Sequence, residues 1–430
     1  MNSIFIQVIL NYISNHFRDY ENKSILMNKY RELLELFDRM TRNIVKRRPE
    51  SCHKILEDQH LWAFNKKECE VINIIKKFCR NRCEECLNNL LNQISHITKH
   101  LFLFKKFYSL KYNNNNANAI IITNDDQIYG LGYNCEGVLG FGHENEVKEL
   151  TIVSELCNKG IVDFKNSISH TIAQTCDGKL YSWGSNAFGI LGNGEEDWEL
   201  YKPKMNQFLK DKIIIEISCG INHTIVLTNH GEVYGWGDNR FGQIGNRKSG
   251  EDECEAHSYF INEFNGEKVI SISCGGWHSL ALTQSGNAYS WGQNKYRQLG
   301  RNTSGNMHSS YPKQIEIIGD IIFNQISCGP LHSLLLSRDG NIYVFGSNSN
   351  SELGIITTTY RQIIPIQLSH TFKFKQIASH NRYCFSCALS INGLYYIWGK
   401  VSEKEIIRKP KETQFKSFNE IFINYFGITY

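Results

Sequence analysis

The apolar positions of residues 119–400 fall in short alternating runs closed by glycine and small polar residues, the pattern of β-strands and tight turns. One stretch shows the unit. Ile213-Ile214-Ile215-Glu216-Ile217-Ser218 runs into Cys219-Gly220, and His223-Thr224-Ile225-Val226-Leu227-Thr228 follows as a second run. Asn229-His230-Gly231 turns the chain into Glu232-Val233-Tyr234-Gly235-Trp236-Gly237, and Gly242 and Gly245 mark a further reversal. The punctuation recurs. A large apolar residue followed by glycine stands at Leu131-Gly132, Trp183-Gly184, Trp236-Gly237, Trp291-Gly292, Phe345-Gly346 and Trp398-Gly399, at intervals of 52, 53, 55, 54 and 53 residues.

A period of this length, dense in strands, predicts a mainly β fold: a β-propeller of six to seven four-stranded blades. The aromatic side chain fills the wedge between neighbouring blades, and glycine permits close packing at the corners. Trp183, Gly184, Trp236, Gly237, Trp291, Gly292, Trp398 and Gly399 are accordingly structural repeat positions. His170, His223, His278 and His332 also repeat, at 53, 55 and 54 residues. A catalytic histidine would not need one copy per blade, whereas a side chain bridging a turn would. The first strand of the first unit is placed at 103–110, and the asparagine run 113–116 reads as a swollen loop inside that blade. Residues 415–423 read as the opening strand of another unit. The ring then has six blades with an overlapping closure strand or a degenerate seventh, and an imperfectly completed seven-blade geometry is the expectation.

These residues resemble the repeat of the regulator of chromosome condensation family, which carries Asp-Gly-x-Val-Tyr-x-Trp-Gly followed by Asn-x-x-Gly-Gln-Leu-Gly. This chain has Asn186-Ala187-Phe188-Gly189-Ile190-Leu191-Gly192 and Asn294-Lys295-Tyr296-Arg297-Gln298-Leu299-Gly300. The family's Cys-Gly-x-x-His-(Ser/Thr) element is similar to the stretches that begin at Cys219, Cys274 and Cys328. The resemblance covers residues 103–430 and implies a propeller that usually has seven blades. It also implies guanine-nucleotide exchange on a Ran-like small GTPase, performed in the family by loops of one face and a protruding β-wedge. The acidic stretch 246–257, with Glu251, Asp252, Glu253 and Glu255, follows Gly245 and does not stand at the wedge position. Those four carboxylates are candidate contacts for a protein partner, since loops on a rigid ring carry binding.

Residues 1–102 read differently. Leu26, Tyr30, Leu33, Leu34 and Phe37 repeat at helical spacing, a second helical signal runs from about Glu68 to Leu103, and Pro49 separates the two. An α-helical N-terminal region is expected ahead of the propeller at 103–430, with a loose likeness to F-box adaptors. Cys79, Cys83 and Cys86, with Cys69 upstream, would share one helix face, and buried cysteines there behave as small hydrophobes more often than as zinc ligands. Arg42 and Lys46-Arg47-Arg48 form a short basic cluster that suits import or an anionic partner but is usually solvated.

Charge sharpens the division. Residues 1–110 carry 19 Lys or Arg against 12 Asp or Glu, and the remaining chain 28 against 31. A mildly acidic propeller argues against nucleic acid as its ligand. No apolar run reaches membrane-spanning length and no secretory signal is read. The cysteines are scattered, with Cys219, Cys274 and Cys328 at one repeat position in different blades, which fits a reduced cytoplasmic or nuclear setting. Cys384 and Cys387 would point to opposite faces of one strand. No catalytic constellation, cofactor fingerprint or metal motif stands out. The expectation is a protein-interaction scaffold, with GTPase exchange and a ubiquitin-ligase substrate adaptor as alternatives.

Overall fold

A computed structural model describes residues 104–111 and 117–426, apart from 168, 195–196, 252, 304, 306, 318, 358, 370 and 403. The expected N-terminal helices, Cys69, Cys79, Cys83, Cys86 and the basic cluster all lie outside these residues. Residues 107–430 form one compact unit.

Among the described residues, 24 strands make six four-stranded sheets, each an antiparallel meander in chain order. Blade 1 holds Phe104–Lys111, Ala117–Thr123, Ile128–Gly132 and Val147–Ile152; blade 2 holds Ile161–Asn166, His170–Thr175, Leu180–Ser185 and Glu199–Met205. Blade 3 comprises Ile214–Cys219, His223–Thr228, Val233–Asp238 and Cys254–Ile261; blade 4 comprises Val269–Cys274, His278–Thr283, Ala288–Gln293 and His308–Gln314. Blade 5 runs through Phe323–Cys328, His332–Ser337, Ile342–Ser347 and Arg361–Gln367; blade 6 through Phe374–His380, Tyr383–Ser390, Tyr395–Lys400 and Ile406–Thr413. The asparagine run falls in the connection between the first two strands of blade 1, outside the described residues.

Register explains the spacing of the repeat. The second-strand histidine faces the glycine after the tryptophan in each of blades 2 to 4: His170 opposite Gly184, His223 opposite Gly237 and His278 opposite Gly292. Gly237 has φ 102°, and a Cβ there would stand 2.4 Å from the Asn222 carbonyl oxygen, so a side chain is excluded twice over. Trp183, Trp236, Trp291 and Trp398 are fully buried between blades. Each indole N–H donates to a backbone carbonyl of the preceding blade: Val138, Ile190, Gln243 and Glu352 respectively, at 2.8–2.9 Å.

The outermost strands share another device. Pro203, Pro312, Pro365 and Pro410 occupy one equivalent place, beside the register shift between the third and fourth strands of blades 2, 4, 5 and 6. A ladder hydrogen bond is already lost there, so the missing N–H of proline costs little.

The chain end corrects the sequence reading. Residues 415–423 do not open a seventh blade; Phe418–Phe426 is an α-helix. Ser417 Oγ accepts from the Glu420 N–H at 3.0 Å, and the Glu420 carboxylate accepts from the Lys416 N–H at 2.9 Å, a reciprocal N-terminal cap. Phe418, Ile421, Phe422, Tyr425 and Phe426 then share one face and pack against blade 6.

Candidate functional site

In an antiparallel meander the first-to-second and third-to-fourth connections leave every blade at the same end. One face of the ring therefore gathers these loops, and the other carries the second-to-third turns such as Asn229-His230-Gly231 together with the links from each fourth strand to the next blade. The acidic stretch lies on the face of the longer loops.

The structure divides that stretch. Glu251 is exposed and Glu253 half-buried in the loop, while Asp252 lies outside the described residues. Glu255 is not in the loop: the outer strand begins at Cys254, Glu255 pairs with Gly237, and its carboxylate lies 3.8 Å from His257. The Asn239 N–H donates to the Glu253 carbonyl at 3.0 Å, which ties the loop to blade 3. Arg247 is ion-paired with Glu263 and covers the Tyr311 ring at 4.9 Å.

Sequence reasoning missed the apolar members of this face. Trp198, Met307, Ile356 and Tyr360 are 77%, 64%, 74% and 75% exposed, and all four stand in third-to-fourth connections of blades 2, 4 and 5. Acidic side chains accompany them in blades 1 and 2. Tyr201 Oη donates to Glu144 at 3.3 Å, and burial together with Glu199 and Glu144 raises the Glu136 carboxyl above the usual range. The repeated loop position was visible in the sequence; exposure was not.

Nearer the axis, the first-to-second loops form a collar. The Ile221 N–H donates to the Gly276 carbonyl at 3.1 Å, and the Gly276 N–H to Pro330 at 3.0 Å. Ser167 Oγ donates to the Gly220 carbonyl at 3.0 Å, and the Asn381 side-chain amide donates to the Cys219 carbonyl. The last bond joins blade 6 to blade 3, which are not neighbours around the ring, so it crosses the channel mouth.

The histidines link blades and do not bridge turns within one. His223 Nε2 meets Ser279 Oγ at 3.0 Å, His278 meets Ser333 at 2.9 Å, and His332 meets Ser386 at 2.8 Å. His170 and Thr224 make a longer version at 3.5 Å. Each serine hydroxyl gives its single proton to a carbonyl: Gln243 for Ser279, Gln298 for Ser333 and Glu352 for Ser386. Nε2 of these three rings must therefore carry the hydrogen, leaving a bare Nδ1 that has no partner among the described residues. Burial holds His170 and His223 at about 4 and His278 and His332 at about 3, so all four are neutral. The glycine of Cys-Gly-x-x-His also has its reason: a Cβ on Gly220 would stand 2.1 Å from the His223 ring.

The repeat-position cysteines sit in separate blades and are unpaired. The Cys274 N–H donates to Ser218 Oγ at 2.8 Å and the Cys328 N–H to Ser273 Oγ at 3.0 Å, further stitches between blades. Cys384 and Cys387 share the strand Tyr383–Ser390; Cys387 is buried, with its thiol on the Ala378 carbonyl. Among the described residues no three His, Cys, Asp or Glu side chains converge as metal ligands, and no helix is long and apolar enough to cross a membrane.

Glu352 occupies the place that Gln243 and Gln298 hold in blades 3 and 4. Its carboxyl accepts from the Asn350 N–H at 2.6 Å, just as those amides accept from Phe241 and Tyr296. Burial raises its pKa, so the contribution of Glu352 to stability falls as pH climbs above the ordinary glutamate value. Glu352→Gln should stabilise the fold at pH 7.5 by on the order of 1 kcal/mol and remove that contribution to the pH dependence, measured by urea unfolding of variant and parent at pH 5 and 7.5.

The sequence profile of the RCC1-like domain matches residues 109–421. The chain is 33% identical to human E3 ubiquitin-protein ligase HERC2 over 243 residues, which is 56% of this chain and 5% of that protein. It is 28% identical to the zebrafish protein RCC2 homolog over 310 residues, 66% of this chain and 59% of that one. It thus spans less than two thirds of either relative. Human WBSCR16 shares its fold at a TM-score of 0.60 and 21% identity, covering 69% of this chain and 79% of that structure. Prp20p from Saccharomyces cerevisiae, in a structure described with its binding properties to Gsp1p and histones, does so at 0.57 and 22%, covering 70% and 76%.

Proposed function

The chain belongs to the RCC1-like domain family, and from that premise we propose that it acts as a protein-interaction platform working through the face of the longer loops. The observation that carries this reading is the set of Trp198, Met307, Ile356 and Tyr360, large apolar side chains standing in water on one rigid face. Exposed apolar groups beside charge are the composition of a recognition surface. Glu136, Glu144, Glu199 and Glu251 on the same side favour a partner with a basic surface. A propeller of this kind supplies rigidity, and its loops supply specificity.

Two measurements test it. Glu251→Gln, Asp252→Asn, Glu253→Gln and Glu255→Gln together should slow association with a captured basic partner by about tenfold at low salt, with less effect at high salt. Unfolding should shift little, because Glu251 is exposed and Glu253 and Glu255 are only half-buried, and carboxylates in contact with water contribute little to folding. Unchanged association at low salt would remove the acidic loop from the interface.

Guanine-nucleotide exchange is the competing reading, favoured by the family and by the Gsp1p named with Prp20p. Against it, the 24 described strands are used up by six meanders, with no extra strand pair projecting from a blade. We expect binding without strong exchange. Release of fluorescent GDP from a Ran-type GTPase accelerated about a thousandfold, the scale of strong catalysis, would replace the platform reading. The adaptor reading rests on residues 1–102 and adds no test within the propeller.

A further inference from the structure

The blade-to-blade relay of histidine and hydroxyl runs from blade 2 to blade 6 and stops there. Two substitutions end it. In blade 6 the position facing the glycine of Trp398-Gly399 is Phe385, where blades 2 to 5 have His170, His223, His278 and His332. In blade 1 the position after Asn118 is Ala119, where later blades have Thr171, Thr224, Ser279, Ser333 and Ser386. Phenylalanine has no ring nitrogen and alanine no hydroxyl, so the repeating link cannot form between blade 6 and blade 1.

The C-terminal helix occupies the place that a following blade takes elsewhere. The blade 5 residues that pack against blade 6 include Leu334, Ile342 and Val344, and His332 reaches it by hydrogen bond. Their equivalents by register in blade 6 are Cys387, Tyr395, Ile397 and Phe385. Phe385 lies 5.8 Å from Phe422 and 5.2 Å from Phe426, both edge-on, and Tyr395 lies 5.2 Å from Phe418. Cys387 and Ile397 belong to the same apolar cluster as Ile421, Phe422 and Phe426.

The helix also braces the hairpin that crosses the channel. Tyr383 stacks on Phe426 at 4.1 Å, and His380 packs on Phe422 at 6.0 Å. Between those two anchors stands Asn381, whose side chain reaches the Cys219 carbonyl of blade 3. One short helix thus holds both the downstream face of the last blade and the bridge over the channel mouth.

We propose that Phe418–Phe426 is a latch: it substitutes for a following blade on blade 6, and its release frees the 380–383 hairpin and the Asn381 bridge while blades 3 to 5 stay folded. The latch does not depend on what the loop face binds.

Hydrogen exchange on the full chain tests it. In Phe422→Ser/Phe426→Ser, amides of 380–385 should exchange at least about tenfold faster, with 278–283 and 332–337 unchanged. Equal protection of 380–385 in variant and parent would overturn the latch. Asn381→Ala should speed exchange near 219–222 without affecting 418–426; faster exchange of the helix in that variant would reverse the order of dependence and overturn the proposal. The unmodified chain gives a reading that needs no variant to fold. At rising urea below the unfolding transition, amides of the helix and of 380–385 should join one opening isotherm, distinct from that of blades 3 and 4. A hairpin that opens only with those blades would refute the latch.

Discussion

Trp236→Ala is expected to remove about 3–5 kcal/mol of stability, the range for deleting a large buried aromatic side chain. Trp236 is buried among Ile172, Leu180, Leu209, Ile214, Ile217 and Val226, residues drawn from blades 2 and 3 and the connection between them. It also gives its N–H to the Ile190 carbonyl, so truncation strips a buried acceptor of that donor as well as opening a cavity. Collapse around the hole is restricted. A Cβ on Gly192 would lie 2.5 Å from the indole, so backbone of the neighbouring blade is already pressed to the ring and cannot advance without moving its own loop. The loss should fall by several degrees or more in Tm, read by circular dichroism. A variant that unfolds with the parent would mean that the indoles do not hold the blades together.

Acid should begin to destabilise the propeller near pH 6.5, before its ordinary carboxylates titrate. His170, His223, His278 and His332 have folded pKa values of about 3–4 because burial disfavours the charged ring. In the unfolded chain they protonate near pH 6.5. The stability they confer by remaining neutral is complete above that value and is lost as pH falls from about 6.5 towards 4. At pH 5 each such histidine costs about 2 kcal/mol, and the four together about 8, against a typical stability of about 5–15. Glu216, raised to about 7 by burial, and Glu352 pull the other way, since acid relieves their buried charge. Two carboxyls offset only part of four histidines. Fluorescence of the buried tryptophans should report a midpoint between about pH 4 and 5.5. A chain still folded at pH 3.5 would show that the rings accept protons in place.

The strands and their order were legible because each rests on local alternation and on glycine at fixed intervals. Blade 3 shows this: the run predicted at His223 to Thr228 is the strand His223–Thr228. Three things were not legible. The histidine spacing was visible, but its partner lies one blade away and exists only once the ring has formed. The tail 415–423 has apolar residues that suit either a strand or a helix; Ser417 and Glu420, three apart, were the local signal for the helix. The acidic stretch looked like one loop because charge was weighed above the alternation of Cys254-Glu255-Ala256-His257-Ser258-Tyr259, which continues the outer strand and takes Glu255 with it. Trp198 and Tyr360 could have been buried by any neighbouring loop, and only the folded chain decides that.

The prolines of the outer strands bear on how this protein can associate at all. An unprotected sheet edge invites other chains to extend it, which leads to strand addition or to open-ended polymers. Pro203, Pro312, Pro365 and Pro410, each beside a register shift, interrupt the regular backbone of four of the six outward edges. A visiting polypeptide meets a perimeter that is poor for templated growth, even in blade 5, where Ile363, Ile364 and Ile366 are exposed along it. Strand addition at the rim is thereby disfavoured relative to contacts at the two ends of the ring.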